Sequence, residues 1–273
     1  MKLVLAQLNP VIGDLDGNAE KIFELCNGIK YKDVDLVITP ELSLIGYPPK
    51  DLLFNPLLFE EEKNILNKLS KKLNKLSQSL SVLIGIAEPT PDSKIPKLYN
   101  SVVIVEKGTW RIVARKQLLP TYDVFDEKRY FRSAENSSIL NFNLKERILK
   151  IGITICEDIW VEQSLQNEKI IGKDPLKSLE KEKLDLLINL SAAPFIQSKS
   201  LLRQRIAAKA AVRLSCPVIY VNQVGGNDEL IFDGSSFTLD TEGKLRQELP
   251  SFTESVGFCD MSLLKQQPLI SST

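Results

Sequence analysis

The chain has 273 residues, 43% hydrophobic and 26% charged, which is enough to bury one large core. Lys plus Arg and Asp plus Glu both number 35, so the chain lacks the basic excess that a nucleic acid or an anionic membrane would need as main partner. Histidine is absent, which excludes Ser-His-Asp and Cys-His catalysis. A nucleophile would therefore need activation by a carboxylate, a lysine, a metal or a helix end.

The predicted elements alternate between strands and helices along the chain. Apolar runs of strand length cover residues 2–8, 34–39, 82–87, 101–105, 111–115, 148–155, 184–190, 218–222 and 235–240. Many of them are rich in Val and Ile and nearly continuous, which is typical of strands buried on both faces. Helical spacing of apolar residues predicts helices over residues 18–28, 59–80 and 200–214. Lys107-Gly108 predicts a hairpin, so we expect a mixed sheet within a layered α/β fold.

The cysteines and the N-terminal sequence bear on metal binding and on the cellular compartment. Cys26, Cys156, Cys216 and Cys259 lie far apart, without a CxxC pair, so we predict no metal site. We find no signal peptide pattern and no apolar run long enough to span a bilayer, so we expect a reduced, cytoplasmic protein without a membrane partner.

Reactive side chains follow three predicted strands. Glu41 follows the second strand, Lys116 the fifth and Cys156 the sixth. Taken singly, each has an ordinary explanation, as a helix cap, a surface charge or a small core residue. Cys156 is the most informative, because two acids follow it at a predicted strand-to-helix turn, where backbone N–H groups and the helix dipole would favour a thiolate and bind an oxyanion.

Taken together, the three residues match the needs of amide hydrolysis. The reaction needs a sulfur nucleophile, a base for its proton, and donors for the tetrahedral oxyanion. Glu41 is the candidate base, Lys116 the candidate oxyanion donor and Cys156 the candidate nucleophile. The sequence therefore predicts a cysteine amidase.

Six segments carry a resemblance to a known family. They are residues 5–18, 40–53, 99–108, 115–131, 155–160 and 221–236, which include PELSLIGYPPKDLL, ICEDIW and VNQVGGNDELIFDGSS. The chain resembles the nitrilase (carbon–nitrogen hydrolase) superfamily and, within it, the glutaminase domain of glutamine-dependent NAD synthetases. The resemblance implies an α/β fold, a four-layer α-β-β-α sandwich with mixed sheets, and a homo-oligomer.

The resemblance also implies roles for individual residues. Glu41, Lys116 and Cys156 match the family's base, oxyanion lysine and nucleophile. Tyr122 and Glu127 resemble substrate-pocket residues, and Glu127 also matches a second glutamate that supports the lysine and the base. The backbone N–H of Glu157 would be the other oxyanion donor.

The implied partner is an NAD synthetase domain, fused or separate. Ammonia from glutamine would travel to that domain and amidate deamido-NAD in an ATP-dependent step. Its SGGxDS loop does not occur in the sequence, so we expect residues 1–273 to form a single hydrolase domain without a cofactor, with ATP and Mg needed only in the missing domain.

One block departs from the family pattern. In NLSAAPFIQSK, Ala193 replaces a serine that holds the substrate's α-amino and carboxylate groups in relatives, and Ser198 replaces a glycine. Lys199 retains the basic position. Ser191 is the nearest substitute hydroxyl, but it lies two residues away and would point elsewhere along a strand. The substrate therefore stays open between glutamine and another small amide.

Three interpretations remain after this comparison. The first is the glutaminase domain of an NAD synthetase, and the second is a stand-alone amidase for another small amide. The third is a non-catalytic scaffold on the same fold, because fold alone does not guarantee activity.

Overall fold

The computed structural model describes residues 1–30, 32–90, 92, 96–122, 125–145, 147–160 and 173–264. Its strands are β1 Lys2–Gln7, β2 Leu36–Ile38, β3 Ser81–Pro89, β4 Leu98–Glu106, β5 Thr109–Arg115, β6 Ser138–Leu144, β7 Arg147–Ile155, β8 Leu186–Ser191, β9 Val218–Asn222, β10 Val224–Asn227, β11 Leu230–Asp233, β12 Phe237–Leu239, β13 Leu245–Glu248 and β14 Ser255–Asp260. Its α-helices are α1 Leu15–Ile29, α2 Pro56–Leu76, α3 Glu127–Tyr130, α4 Pro175–Leu179, α5 Lys199–Leu214 and α6 Met261–Leu264.

Most of the strands form two mixed sheets. The first has the order β14-β1-β2-β3-β4-β5 and the second the order β13-β12-β9-β8-β7-β6. Parallel pairing joins β1, β2 and β3 in the first sheet, and β7, β8 and β9 in the second. The remaining neighbours pair antiparallel, including β4 and β5 across the predicted Lys107-Gly108 hairpin. The mixed character predicted from the sequence is confirmed.

Three apolar clusters show how the layers stack. One lies between the sheets and joins residues such as Leu5 and Ile38 of the first sheet to Ile153 and Ile188 of the second. Another covers the outer face of the first sheet with α1 and α2, and a third covers the outer face of the second sheet with α4 and α5. The result is the expected four-layer α-β-β-α sandwich, in which the two sheets pack face to face and helices cover their outer faces.

Helix α2 shows where local patterning succeeds and where it fails. Asn55 caps its start by accepting the Leu57 N–H at 3.1 Å, and Pro56 occupies the first turn, which tolerates a missing N–H. The helix ends at Leu76, because Ser77 is extended. The predicted end at residue 80 was wrong: Leu80 is buried, but it packs from the segment that leads into β3.

Several strands were not predicted from the sequence. They are β6, β10, β11, β13 and β14. β6 is an edge strand whose buried Leu140 and Phe142 alternate with exposed asparagines, a weaker signal than the continuous apolar runs of central strands.

Candidate active site

The ends of β2 and β5 bring three charged side chains into contact. Glu41 follows β2 and Lys116 follows β5, while Glu127 opens the short helix α3. Lys116 Nζ lies 2.8 Å from Glu41 Oε1 and 2.8 Å from Glu127 Oε1, and the Lys116 side chain is fully buried. Glu41 and Lys116, which are 75 positions apart in the sequence, thus belong to one buried cluster at the carboxyl ends of β2 and β5.

The Lys116 ammonium is charged in this cluster. Burial alone would lower the pKa of Lys116, but Glu127 and Glu41 outweigh burial and raise it well above its ordinary value. Within the described part of the chain, two of its three N–H donors are used by carboxylates. One donor is left for a ligand.

The two oxygens of Glu41 have unequal surroundings. Among the described residues, Oε1 accepts hydrogen bonds from Asn100 Nδ2 at 2.7 Å and from Lys116, whereas Oε2 accepts one, from the Ala192 N–H at 3.0 Å. A carboxylate offers about four acceptor sites, so the remaining one lies on Oε2. This oxygen is the one placed to take a proton, and the contact from Asn100 was not foreseen from the sequence.

Cys156 comes from the second sheet, directly after β7. Its backbone φ of 48° is in the left-handed region that non-glycine residues rarely adopt, and its carbonyl accepts a hydrogen bond from Asn189 Nδ2 at 3.1 Å. Its side chain lies in the inter-sheet cluster, and the residue as a whole is buried, with 8% exposure.

The protonation of Cys156 differs from the expectation. Cys156 begins a single 3₁₀ turn, Cys156–Ile159, so among the described residues this turn is too short to supply the strong helix dipole that was expected to favour a thiolate. Burial raises the pKa of the Cys156 thiol well above its ordinary value, Glu41 raises it further, and Lys116 opposes them. The resting group is a thiol, and attack requires a base.

Tyr122 and Glu157 form a second polar group beside the cysteine. Tyr122 Oη donates to Glu157 Oε1, while Glu157 Oε2 is buried and has no hydrogen-bond partner among the described residues. Burial raises the pKa of Glu157, and the contact with Tyr122 and the charges of Lys116 and Lys199 oppose this rise.

Lys199 supplies a positive charge near the Tyr122–Glu157 pair. Its Nζ lies 5.5 Å from the centre of the Trp160 ring. Burial lowers the pKa of Lys199, and the charge of Glu157, together with that of the Cys156 sulfur when it is ionised, counteracts this effect. The structure therefore places a cation and a buried carboxylate within electrostatic reach of one sulfur.

Ser191 is brought to the same region but turned into the core. Its hydroxyl lies 3.0 Å from Asn189 Oδ1 and 2.8 Å from Tyr220 Oη, and the residue is fully buried. The hydroxyl can donate to Asn189 Oδ1 and accept from the Tyr220 O–H, so both contacts are satisfied within the core, which supports a packing role for Ser191 rather than substitution for the missing pocket serine.

The two departures from the family pattern have clear positions. Ala193 is held by Asn222, which accepts its N–H at 2.8 Å and donates to its carbonyl at 3.2 Å. Its side chain packs in the same cluster as Cys156. Ser198 precedes α5 with a φ of 67°, a conformation that favours glycine, the residue that the resemblance led us to expect there.

Comparison with known proteins agrees with this architecture. The glutamine-dependent NAD(+) synthetase of Synechocystis sp. is 42% identical over 264 residues, which cover 96% of this chain and 46% of that protein. The same-named protein of Thermotoga maritima is 34% identical, over 96% of this chain and 42% of that protein. The chain therefore spans less than half the length of these curated relatives.

Solved structures give the same result. The glutamine-dependent NAD+ synthetase of Acinetobacter baumannii, solved with adenosine diphosphate, superposes with a TM-score of 0.81 at 34% identity, over 94% of this chain and 44% of that one. An amidase from Nesterenkonia sp. has a TM-score of 0.73 at 16% identity, over 94% of this chain and 89% of that one, a likeness of fold alone.

The site joins a carboxylate, an ammonium and a thiol at the strand ends of a four-layer sandwich, and these groups can together hydrolyse an amide by nucleophilic catalysis. The model of the carbon–nitrogen hydrolase family matches residues 2–268. This chain belongs to that family. Among the residues that the structure describes, no helix combines the length and hydropathy needed to cross a bilayer.

Proposed function

We propose that this chain is a glutamine amidohydrolase domain, in which Cys156 is the nucleophile, Glu41 the base and Lys116 the oxyanion donor. The observation that carries the proposal is the buried contact of Lys116 with Glu41 and Glu127, 2.8 Å each, close enough to Cys156 for the charges of all three to act on the pKa of its thiol. Family membership supports the reaction type, and the names of the relatives support the substrate.

The first half of the reaction forms a thioester. Glu41 Oε2 takes the thiol proton as the sulfur attacks the amide carbon, and the carbonyl oxygen becomes an oxyanion. The third donor of Lys116 and the Glu157 N–H stabilise that charge. The carbon–nitrogen bond then breaks, the proton passes from Glu41 to the leaving nitrogen, and ammonia departs.

The second half returns the enzyme to its resting state. Water gives a proton to Glu41 and attacks the thioester carbon, so that a second oxyanion forms at the same donors. The carbon–sulfur bond breaks, the sulfur recovers its proton, and glutamate leaves. Glu127 stays paired with Lys116 throughout and keeps the ammonium beside Glu41.

The surroundings of the sulfur suit an α-amino acid amide. Glu157 Oε2, buried and without a partner among the described residues, would accept a hydrogen bond from the α-ammonium group, while Tyr122 holds the other oxygen. Lys199 would face the α-carboxylate. An opposite pair of charges at the pocket discriminates glutamine from amides without a zwitterionic end.

The proposal extends to a partner. The relatives are named NAD(+) synthetases and are more than twice as long as the match, so the ammonia would be used by a synthetase domain, fused or separate, to amidate deamido-NAD. ATP and Mg would be required by that domain, whereas the hydrolase chemistry uses side chains within 1–273. Assembly into a homo-oligomer is part of this proposal, and light scattering measures it.

The redox state of the cysteines supports the proposed location. Cys26, Cys156, Cys216 and Cys259 are all free in the structure. Free thiols of this kind persist in a reducing compartment, which is the basis for placing the reaction in the cytoplasm.

Glutamine hydrolysis by the protein, followed as ammonia and glutamate release, tests the main proposal. Cys156→Ala should abolish turnover with an unchanged circular dichroism spectrum, and Cys259→Ala is the matched control because Cys259 also lies in the inter-sheet cluster. Alkylation should be faster at Cys156 than at Cys26 or Cys259. Turnover retained in Cys156→Ala, or equal alkylation at all of these cysteines, would support the non-catalytic scaffold instead.

One observation favours a second candidate, a stand-alone amidase for another small amide. Ala193 places a methyl group where a pocket hydroxyl stands in relatives, which removes one contact to an amino acid head group. A screen of small amides and carbamoyl compounds separates the two candidates. Turnover of glutamine alone would exclude the second one.

A further inference from the structure

Asp158 connects the segment that carries Lys116 to the turn that carries Cys156. Its Oδ1 accepts the N–H groups of Gln117 at 3.0 Å and Leu118 at 2.7 Å. Its Oδ2 accepts the N–H of Ile155 at 3.2 Å, and the residue is 2% exposed. One carboxylate is therefore bonded to both chain segments that lead to the reacting groups.

These two segments belong to different sheets. Lys116 follows β5 of the first sheet, and Cys156 follows β7 of the second. The apolar layer between the sheets holds them together, but hydrophobic contact is non-directional and does not fix the distance between two side chains. Hydrogen bonds are directional, so those of Asp158 constrain this distance better.

A local role alone does not explain all of these contacts. The bond from Ile155 to Oδ2 spans three residues and caps the 3₁₀ turn Cys156–Ile159. The bonds from Gln117 and Leu118 cross 41 and 40 residues and contribute nothing to that cap. Burial raises the pKa of Asp158 to about 7, against the effect of the Leu118 N–H and of Lys116, which shows how completely the group is withdrawn from water.

We propose that Asp158 is a positioning residue that sets the separation between the Lys116 ammonium and the Cys156 sulfur. The inference rests on the proposed amidase chemistry, because it gives that separation a catalytic meaning. Asp158 touches neither substrate nor a reacting atom, and it acts through the backbone on both sides of the pocket.

Two variants and one matched control test this role. Asp158→Ala removes every contact, whereas Asp158→Asn keeps an oxygen for Gln117 and Leu118 and loses only the acceptor for Ile155. Asp240→Asn is the control, because Asp240 is also 2% exposed and accepts backbone N–H groups, from Glu242 and Lys244, in the turn after β12. The measurements are kcat and KM for glutamine, the melting temperature, and the pH profile of Cys156 alkylation by iodoacetamide, read at its peptide by mass spectrometry.

Asp158→Ala should lower kcat about a hundredfold, the effect of a displacement on the order of 1 Å, and should change KM less than about threefold. The alkylation profile of Cys156 should move to higher pH, because the Lys116 charge that lowers the pKa of this thiol is then farther away. Asp158→Asn should lie between Asp158→Ala and the wild type, and Asp240→Asn should change only the melting temperature.

An unchanged kcat and alkylation profile in Asp158→Asn, or a loss of melting temperature alone like that of Asp240→Asn, would overturn the proposal. If Asp158→Ala does not fold, Asp158→Asn decides the question. Alkylation needs no substrate. A wild-type protein that fails to hydrolyse glutamine would therefore refute the proposed function, while the effect of Asp158 on Cys156 is still measured.

Discussion

Lys116 and Glu127 form an ion pair with almost no exposure to solvent, with Nζ and Oε1 2.8 Å apart. Glu41 lies at the same distance from the same nitrogen, so one ammonium pairs with both buried carboxyl groups. Neither carboxylate has another cationic side chain within salt-bridge distance in the described part of the chain. The stability of this region and its chemistry therefore depend on the same charge.

Lys116→Met should destabilise the fold strongly, because it leaves Glu41 and Glu127 buried without a countercharge. Breaking one partner of a buried pair costs about 3–5 kcal/mol, which urea denaturation measures. The double variant Lys116→Met/Glu127→Gln should recover part of this loss and remain inactive, because the oxyanion donor is still missing. If the stability loss of the double variant equals the sum of the losses in Lys116→Met and Glu127→Gln, the two residues are not energetically coupled.

Glu41→Gln should keep the shape of the base and abolish its capacity to take the thiol proton. The expected loss in kcat is roughly two to four decades, the usual contribution of a general base. Glu62→Gln is the matched control, since Glu62 is also buried, at 3% exposure, but lies on α2 away from the cluster. A comparable loss of rate in both variants would show that burial of a glutamate, rather than its role as base, explains the effect.

The fold was largely predictable because its central strands are buried on both faces. β1, β3, β7, β8 and β9 carry continuous apolar runs, and these are the strands that the sequence predicted most closely. The strands that were missed lie at sheet edges or in the small β10–β11 hairpin, where one face is exposed or glycines interrupt the pattern. Their pairing depends on neighbours that no local window contains.

The site was predictable only where residue chemistry and strand ends coincide. Glu41, Lys116 and Cys156 each follow a recognisable strand, and the absence of histidine narrowed their roles. Asn100 gave no such signal, because it lies inside β4 and contacts Glu41 through tertiary structure. The buried pair of Arg203 and Asp233 was missed for the same reason, as its members lie 30 positions apart on α5 and β11.

Ala193→Ser should strengthen glutamine binding. The Asn222 contacts fix the backbone at residue 193, so the added hydroxyl would enter the cluster that contains Cys156. One additional hydrogen bond contributes about 0.5–1.5 kcal/mol, equivalent to a KM lowered roughly two- to tenfold with kcat little changed. Butyramide, which lacks the α-amino and carboxylate groups, is the control substrate. An equal change in KM for both substrates would refute a specific contact.

Ser198→Gly should stabilise the protein. Ser198 has a φ of 67°, and its side chain makes no capping hydrogen bond at the start of α5. Removing the Cβ atom from a left-handed residue should raise the free energy of unfolding by roughly 1 kcal/mol. The larger conformational entropy of glycine in the unfolded chain offsets part of this gain. Ser198→Ala retains the Cβ atom and should give no such gain. The melting temperatures of both variants and of the wild type test this prediction. If Ser198→Gly melts at the same temperature as the wild type or lower, residue 198 is not strained.

Glu62 provides a pH-dependent test that is independent of the active site. Burial raises the pKa of Glu62 from its usual 4.5 to about 8, and the Ala87 N–H, at 3.3 Å from Oε1, opposes this rise only partly. No cationic side chain pairs with it among the described residues, so its ionised form is unfavourable in the folded state.

Between pH 4.5 and about 8 the folded protein therefore holds a proton on Glu62 that the unfolded chain has lost. The free energy of unfolding should fall as pH rises through this window, by up to about 1.4 kcal/mol per pH unit from this group. Glu62→Gln is neutral at every pH and keeps an oxygen for the Ala87 N–H, so its stability relative to the wild type should grow with pH and level off above about 8. Urea denaturation of both proteins across the window measures this difference, and the subtraction removes the titration of groups that they share. A stability difference that does not vary with pH would mean that Glu62 ionises in the folded protein as it does in the unfolded chain.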